Sequence, residues 1–149
     1  MRIHLLIPLF VATGLGLAGC GLGSTNLRPA GGELAACQSG PHCVSSGNRE
    51  PRHAIAPIRF EGPLPAARER LLAVLRQTPR VKVVLATPDY IHAQATTRWM
   101  RYVDDLEFLL RGDLIELRAS SRIGYYDFEV NRRRLEDIRE RFAIHAAPP

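Results

Sequence analysis

Much that would betray a common chemistry is missing from this chain. No Gly-x-Ser-x-Gly elbow presents a nucleophilic serine. The four His beyond the first turn of sequence, at positions 42, 53, 92 and 145, have no paired ligand spacing, so neither a metal site nor any other cofactor is expected. No apolar run reaches the roughly 20 residues of a spanning helix, which excludes a multi-span membrane protein. There is no repeat at a solenoid period. Lys is almost absent: Lys82 is the only one among 20 basic residues in 149. With Ala, Gly and Pro abundant, that skew reads as GC-rich coding bias and not as a binding adaptation. The net charge of +5 is spread along the chain, without the basic face that nucleic acid requires, so no nucleic-acid partner is expected.

What is present is enough apolar residue, 46%, to build one core. It begins with an address. Arg2 and His4 precede the mostly apolar run Leu5 to Leu17, and Leu17-Ala18-Gly19-Cys20 closes it. Charge, length and ending fit a signal peptide over 1–19 and resemble a bacterial lipobox, in which Cys20 carries the lipid and the chain is cut before it. Gly21 at the next position, by likeness to sorted lipoproteins, favours the periplasmic face of the outer membrane. Two or three acyl chains would make that attachment stable. Residues 20–41, rich in Gly, Ser, Pro and Ala, read as the lipidated end and a flexible tether, followed by a single domain over 42–145.

With Cys20 assigned to lipid, Cys37 and Cys43 remain, six positions apart. In an oxidising compartment a disulfide is the natural reading. A Cys43 thiolate beside His42, or two unpaired thiols, are the alternatives.

The domain reads as α+β: an antiparallel sheet of four to five strands with two helices packed on one face. Ile55 to Phe60 is expected as an edge strand, where Pro57 is tolerated. A helix opens at Gly62-Pro63 and runs to Gln77. Strands follow at Val81 to Ala86, Tyr90 to Thr96, Trp99 to Leu110 and Leu114 to Ala119, with Arg111-Gly112-Asp113 as a hairpin turn. A last helix over Asp127 to Phe142 carries Phe128, Leu135, Ile138 and Phe142 as its stripe.

Three polar sets are candidates for chemistry. Asp104, Asp105 and Glu107 share one strand; its alternation sends Asp104 to the face of Leu106 and Phe108 and Asp105 to the other, so the two are not a catalytic pair. Arg122, Asn131, Arg132, Arg133 and Arg134 follow the last strand, with Ser120 and Ser121 beside them. They suit either an Arg-carboxylate network that locks the last helix to the sheet or an anion pocket built on Arg122 and Arg133. The third set is the scattered His92, Ser45, Ser46 and Ser120, from which a serine hydrolase can be imagined; as an alternative function, a hydrolase-type pocket would lie near Asp105, His92 and Arg122.

Cys43-Val44-Ser45-Ser46, Tyr90-Ile91-His92-Ala93, Val103 to Phe108, and Arg118-Ala119-Ser120-Ser121-Arg122-Ile123-Gly124-Tyr125 leading to Val130-Asn131-Arg132-Arg133-Arg134 resemble, in order and spacing, the bacterial envelope family catalogued as domain of unknown function 1499. The likeness covers about Cys37 to Phe142; the family pattern usually has Gly where Glu129 stands and a small residue where Tyr126 stands. It implies a small exported or lipid-anchored domain and brings no catalytic residue or cofactor. The expected function is therefore a membrane-anchored envelope module that binds an anionic ligand or protein partner or supports an assembly, with an envelope hydrolase as the competing reading.

Overall fold

The computed structural model describes residues 27–37, 40–123 and 127–145. Cys20, Gly124, Tyr125 and Tyr126 lie outside them. Eight elements follow one another: β1 (Cys43–Ser45), β2 (Ile58–Arg59), α1 (Leu64–Gln77), β3 (Val81–Ala86), β4 (Tyr90–Thr96), β5 (Val103–Arg111), β6 (Leu114–Ser121) and α2 (Val130–Ile144). The strands form one antiparallel sheet in the order β1-β6-β5-β4-β3, and β2 pairs with β6 beside β1. The architecture is thus α+β, with five to six strands and two helices.

The sheet is a meander from β3 to β6, because each successive pair is joined by a short connection that returns the chain beside itself. Gly112 closes the β5–β6 hairpin at φ +54°, a conformation that Gly adopts at little steric cost. Ile91, Ala93, Leu106, Phe108, Leu110, Ile115 and Leu117 point from the sheet to one side, where Leu71 and Leu75 of α1 and Leu135, Ile138 and Phe142 of α2 complete the core. Neighbours on β5 take the other side, and the strand is buried on both.

Three departures from the expected elements have physical reasons. The edge strand shrinks to Ile58–Arg59, since Pro57 has no N–H to donate. A strand not expected from sequence, β1, is only three residues long and pairs Cys43 with Ser120 and Ser45 with Arg118. Finally, α2 starts at Val130, so Phe128 stands ahead of it at φ +53° and 72% exposed, off the apolar stripe. Asp127 supplies the turn that starts the helix: its carboxylate accepts from the N–H groups of Glu129 and Asn131. Glu129 has φ +59°, the left-handed region that Gly occupies most readily, at the position where the resembling family has Gly.

Cys37 and Cys43 are disulfide-bonded with Cα atoms 5.6 Å apart. Ahead of this link, part of the stretch read as a tether touches the sheet. The Arg28 N–H donates to Glu107 Oε1 at 2.7 Å, its guanidinium pairs with Asp89 at 3.0 Å and lies over the Tyr90 ring, and Glu33 pairs with Arg111.

Candidate functional site

Alternation along β5 divides its acidic residues, and each division collects its own partners. On the helix side Asp104 accepts from the Ser121 hydroxyl at 2.7 Å and from Arg134 Nη1 at 2.8 Å. Asn131 ties the group together, donating to Ser121 Oγ at 3.0 Å and to the His42 carbonyl at 3.1 Å while its own carbonyl oxygen accepts from Arg134. These bonds join α2 to β5, to β6 and to the residue just ahead of β1 at one end of the sheet.

On the opposite face, register brings His92, Glu107 and Arg118 into one row across β4, β5 and β6. Diagonal neighbours then meet. Glu107, wholly buried, accepts from the Tyr90 hydroxyl at 2.7 Å, from the Arg28 N–H, and from Arg118 Nη1 at 2.7 Å. Burial, followed by the hydrogen bond to Glu107 and its charge, pushes the Tyr90 hydroxyl above the ordinary tyrosine range. Nearer the other end, Asp105 accepts from His92 Nε2 and from Nε and Nη2 of Arg122, all at 2.8 Å.

Burial is the largest influence on the Asp105 carboxyl and acts to raise it, yet the hydrogen bonds and charges of Arg122 and His92 together outweigh burial and hold it below the usual carboxylate range. The hydrogen bond to Asp105 correspondingly raises the Arg122 guanidinium. With a folded value below the unfolded value of about 3.9, Asp105 contributes stability above that unfolded value, and the contribution disappears as pH falls through the folded one. In urea titrations from about pH 5 downward, wild type should therefore lose more stability than Asp105→Asn, which lacks the titrating group. Parallel pH profiles for the two proteins would contradict this linkage.

The candidate anion-binding residues are divided by the sheet. Arg122 turns to Asp105 on one face and Arg134 to Asp104 on the other. Arg132 donates to the carbonyls of Ala54 and Arg52 at 2.7 and 2.9 Å, clamping the turn after β1, and Arg133 donates to the Phe128 carbonyl at 2.7 Å. Every guanidinium of the set has an acceptor within the chain. His92, Asp105 and Arg122 do meet, but no hydrogen bond joins Ser120 to His92 among the described residues, and no group of three possible metal ligands occurs there.

A cleft of about 410 Å³ opens over the end of the Asp104 network, between the β4–β5 loop and the segment leading into α2. Trp99, Met100, Tyr102, Ile123 and Phe128 wall it, and Asp104 with Ser121 lies at its base. These walls are exposed: Trp99 83%, Met100 66% and Phe128 72%. Expected as part of a strand from Trp99, the loop was not legible as the rim of a cleft. The signal was the adjacent pair Trp99-Met100, which puts large apolar groups on successive positions and fits no half-buried strand. A second cavity, about 610 Å³, lies between Phe60 and Phe142. Its arginines already have partners: Arg59 pairs with Asp113, Arg139 with Glu136, and Arg70 lies over the Phe142 ring.

The sequence pattern of DUF1499, described as a protein of unknown function, matches residues 33–142. No curated protein matches the chain.

Proposed function

The chain belongs to the DUF1499 family, and we propose that it is an envelope module, lipid-anchored through Cys20 on the periplasmic face of the outer membrane, which works by binding at the cleft beside Trp99. One observation carries this reading. The arginines and carboxylates that would recognise an anion or perform hydrolysis are joined to each other or, for Arg132 and Arg133, to backbone carbonyls, whereas large exposed apolar side chains line a cavity at one end of the sheet. Exposed large apolar side chains gathered around one groove, with polar groups at its base, are the arrangement by which a binding groove is recognised. The internal networks serve as its frame, because a cleft lined by loops keeps its shape only if the elements beneath are fixed.

The cleft is tested with the fluorescent probe 1-anilinonaphthalene-8-sulfonate, an apolar molecule with one negative charge. Wild type should enhance its emission severalfold, and Ile123→Ser with Phe128→Ser should remove most of that gain without moving the thermal midpoint. Equal enhancement by both proteins would reject the cleft. Anchoring is tested separately: Cys20→Ala should release the protein from the membrane fraction, and unchanged processing and fractionation with that substitution and with globomycin would reject it.

A further inference from the structure

The cleft's outer rim has a composition of its own. Arg98, Trp99, Met100, Arg101 and Tyr102 follow one another and are all exposed. Arg98 lies over the Trp99 ring, 5.2 Å from its centre, and neither Arg98 nor Arg101 is paired with a carboxylate among the described residues. That sets them apart from Arg118, Arg122 and Arg134, which are. An aromatic ring with a polar edge, a flexible apolar side chain and two uncompensated guanidiniums suit the boundary between phospholipid headgroups and acyl chains, where the rings settle and the cations meet phosphate.

Building on the binding role of this cleft, we propose that the loop from Thr97 to Tyr102 is a membrane-docking element for an anionic bilayer. Trp99 and Met100 enter the headgroup boundary, and Arg98 and Arg101 bind lipid phosphates. Charge decides for a lipid surface of this kind: the rim offers cations and apolar surface together, and an anionic leaflet is complementary to both at once.

The reach of the chain permits it. Arg28 is fixed at the opposite end of β4, beside Asp89 and Tyr90. Cys20 lies eight positions earlier, a span of at most about 27 Å when extended. The seven residues of β4, which separate that point from the loop, cover only about 23 Å. A domain lying along the bilayer therefore places the loop on the leaflet that holds the lipid. Anchor and loop would act as two membrane signals, the second sensitive to lipid charge.

The experiment uses the full lipidated protein in vesicles of phosphatidylcholine alone and in vesicles enriched in phosphatidylglycerol. Trp99 is the chain's only Trp, so its emission reports the loop alone. In anionic vesicles the emission should shift to the blue and be quenched severalfold by lipids brominated in their acyl chains; Arg98→Glu with Arg101→Glu, or high salt, should reverse both while the protein still floats with the vesicles. Emission that stays red and open to aqueous iodide in both vesicles overturns the proposal. So does quenching that ignores lipid charge and the two substitutions, or a blue shift without brominated-lipid quenching, which would indicate a protein or second copy over the loop. Failure of the underlying readings is seen elsewhere: a lost anchor as protein that does not float, a lost cleft as the absent probe signal.

Discussion

Glu107→Ala is expected to lower the unfolding free energy by about 3–5 kcal/mol, the usual cost of removing one partner from a buried ion pair. Glu107 is 0% exposed, and the Arg118 side chain that it balances is 4% exposed. Removing the carboxylate strands a guanidinium whose Nε is already buried without an acceptor, and among the described residues no other carboxylate pairs with Arg118. The Tyr90 hydroxyl and the Arg28 N–H lose their acceptor in the same step. The cost arises from what remains, not from the net worth of the pair. Glu107→Leu combined with Arg118→Met should accordingly recover the share due to the stranded guanidinium, because apolar groups of similar volume need no partner, while the Tyr90 hydroxyl and the Arg28 N–H still lack their acceptor. Urea unfolding of Glu107→Ala and of the double variant measures this, and a Glu107→Ala loss under about 1 kcal/mol would mean that water or a rearranged side chain satisfies Arg118.

That network also shows what can be read along a sequence and what cannot. The period of two was sufficient to place Asp104 with Leu106 and Phe108 and to turn Asp105 away. It held nothing about Arg28, which reaches Glu107 across 79 positions and lies in a stretch whose Gly and Pro suggested only a tether. Partners at such separations depend on strand order and register, which local pattern does not encode. β1 was invisible for a related reason: three residues have too little periodicity to mark a strand, and only the open edge of β6 makes Cys43–Ser45 one. The Arg122 to Arg134 cluster looked continuous because sequence proximity was taken as spatial proximity. A strand end and a helix separate its members, and the opposed carboxylates draw them to opposite faces. Phe128 fitted a helical spacing with Leu135, yet a left-handed backbone at Phe128 and Glu129 excludes both from the helix.

The second large effect concerns the network beneath the cleft. Arg134→Ala should destabilise the protein by about 3 kcal/mol, since Asp104, whose side chain is 3% exposed, would keep the Ser121 hydroxyl as its one side-chain donor among the described residues. Asn131 would lose a donor to its carbonyl oxygen, although its amide would still bind Ser121 and the His42 carbonyl. Arg134→Lys keeps a charge near Asp104 but is less suited to reach Asp104 and Asn131 together, so a loss of about 1 kcal/mol is expected. The location of the damage matters as much as its size. Hydrogen exchange should show the first turns of α2 losing protection before β4 and β5, because the bonds removed are those that tie the helix to the sheet. Asp104 and Ser121 also form the base of the cleft, so the same variant should weaken the fluorescence gain of the anilinonaphthalene probe even at temperatures where the fold is intact. An Arg134→Ala protein with native stability and a native probe signal would show that the cleft keeps its shape without this network.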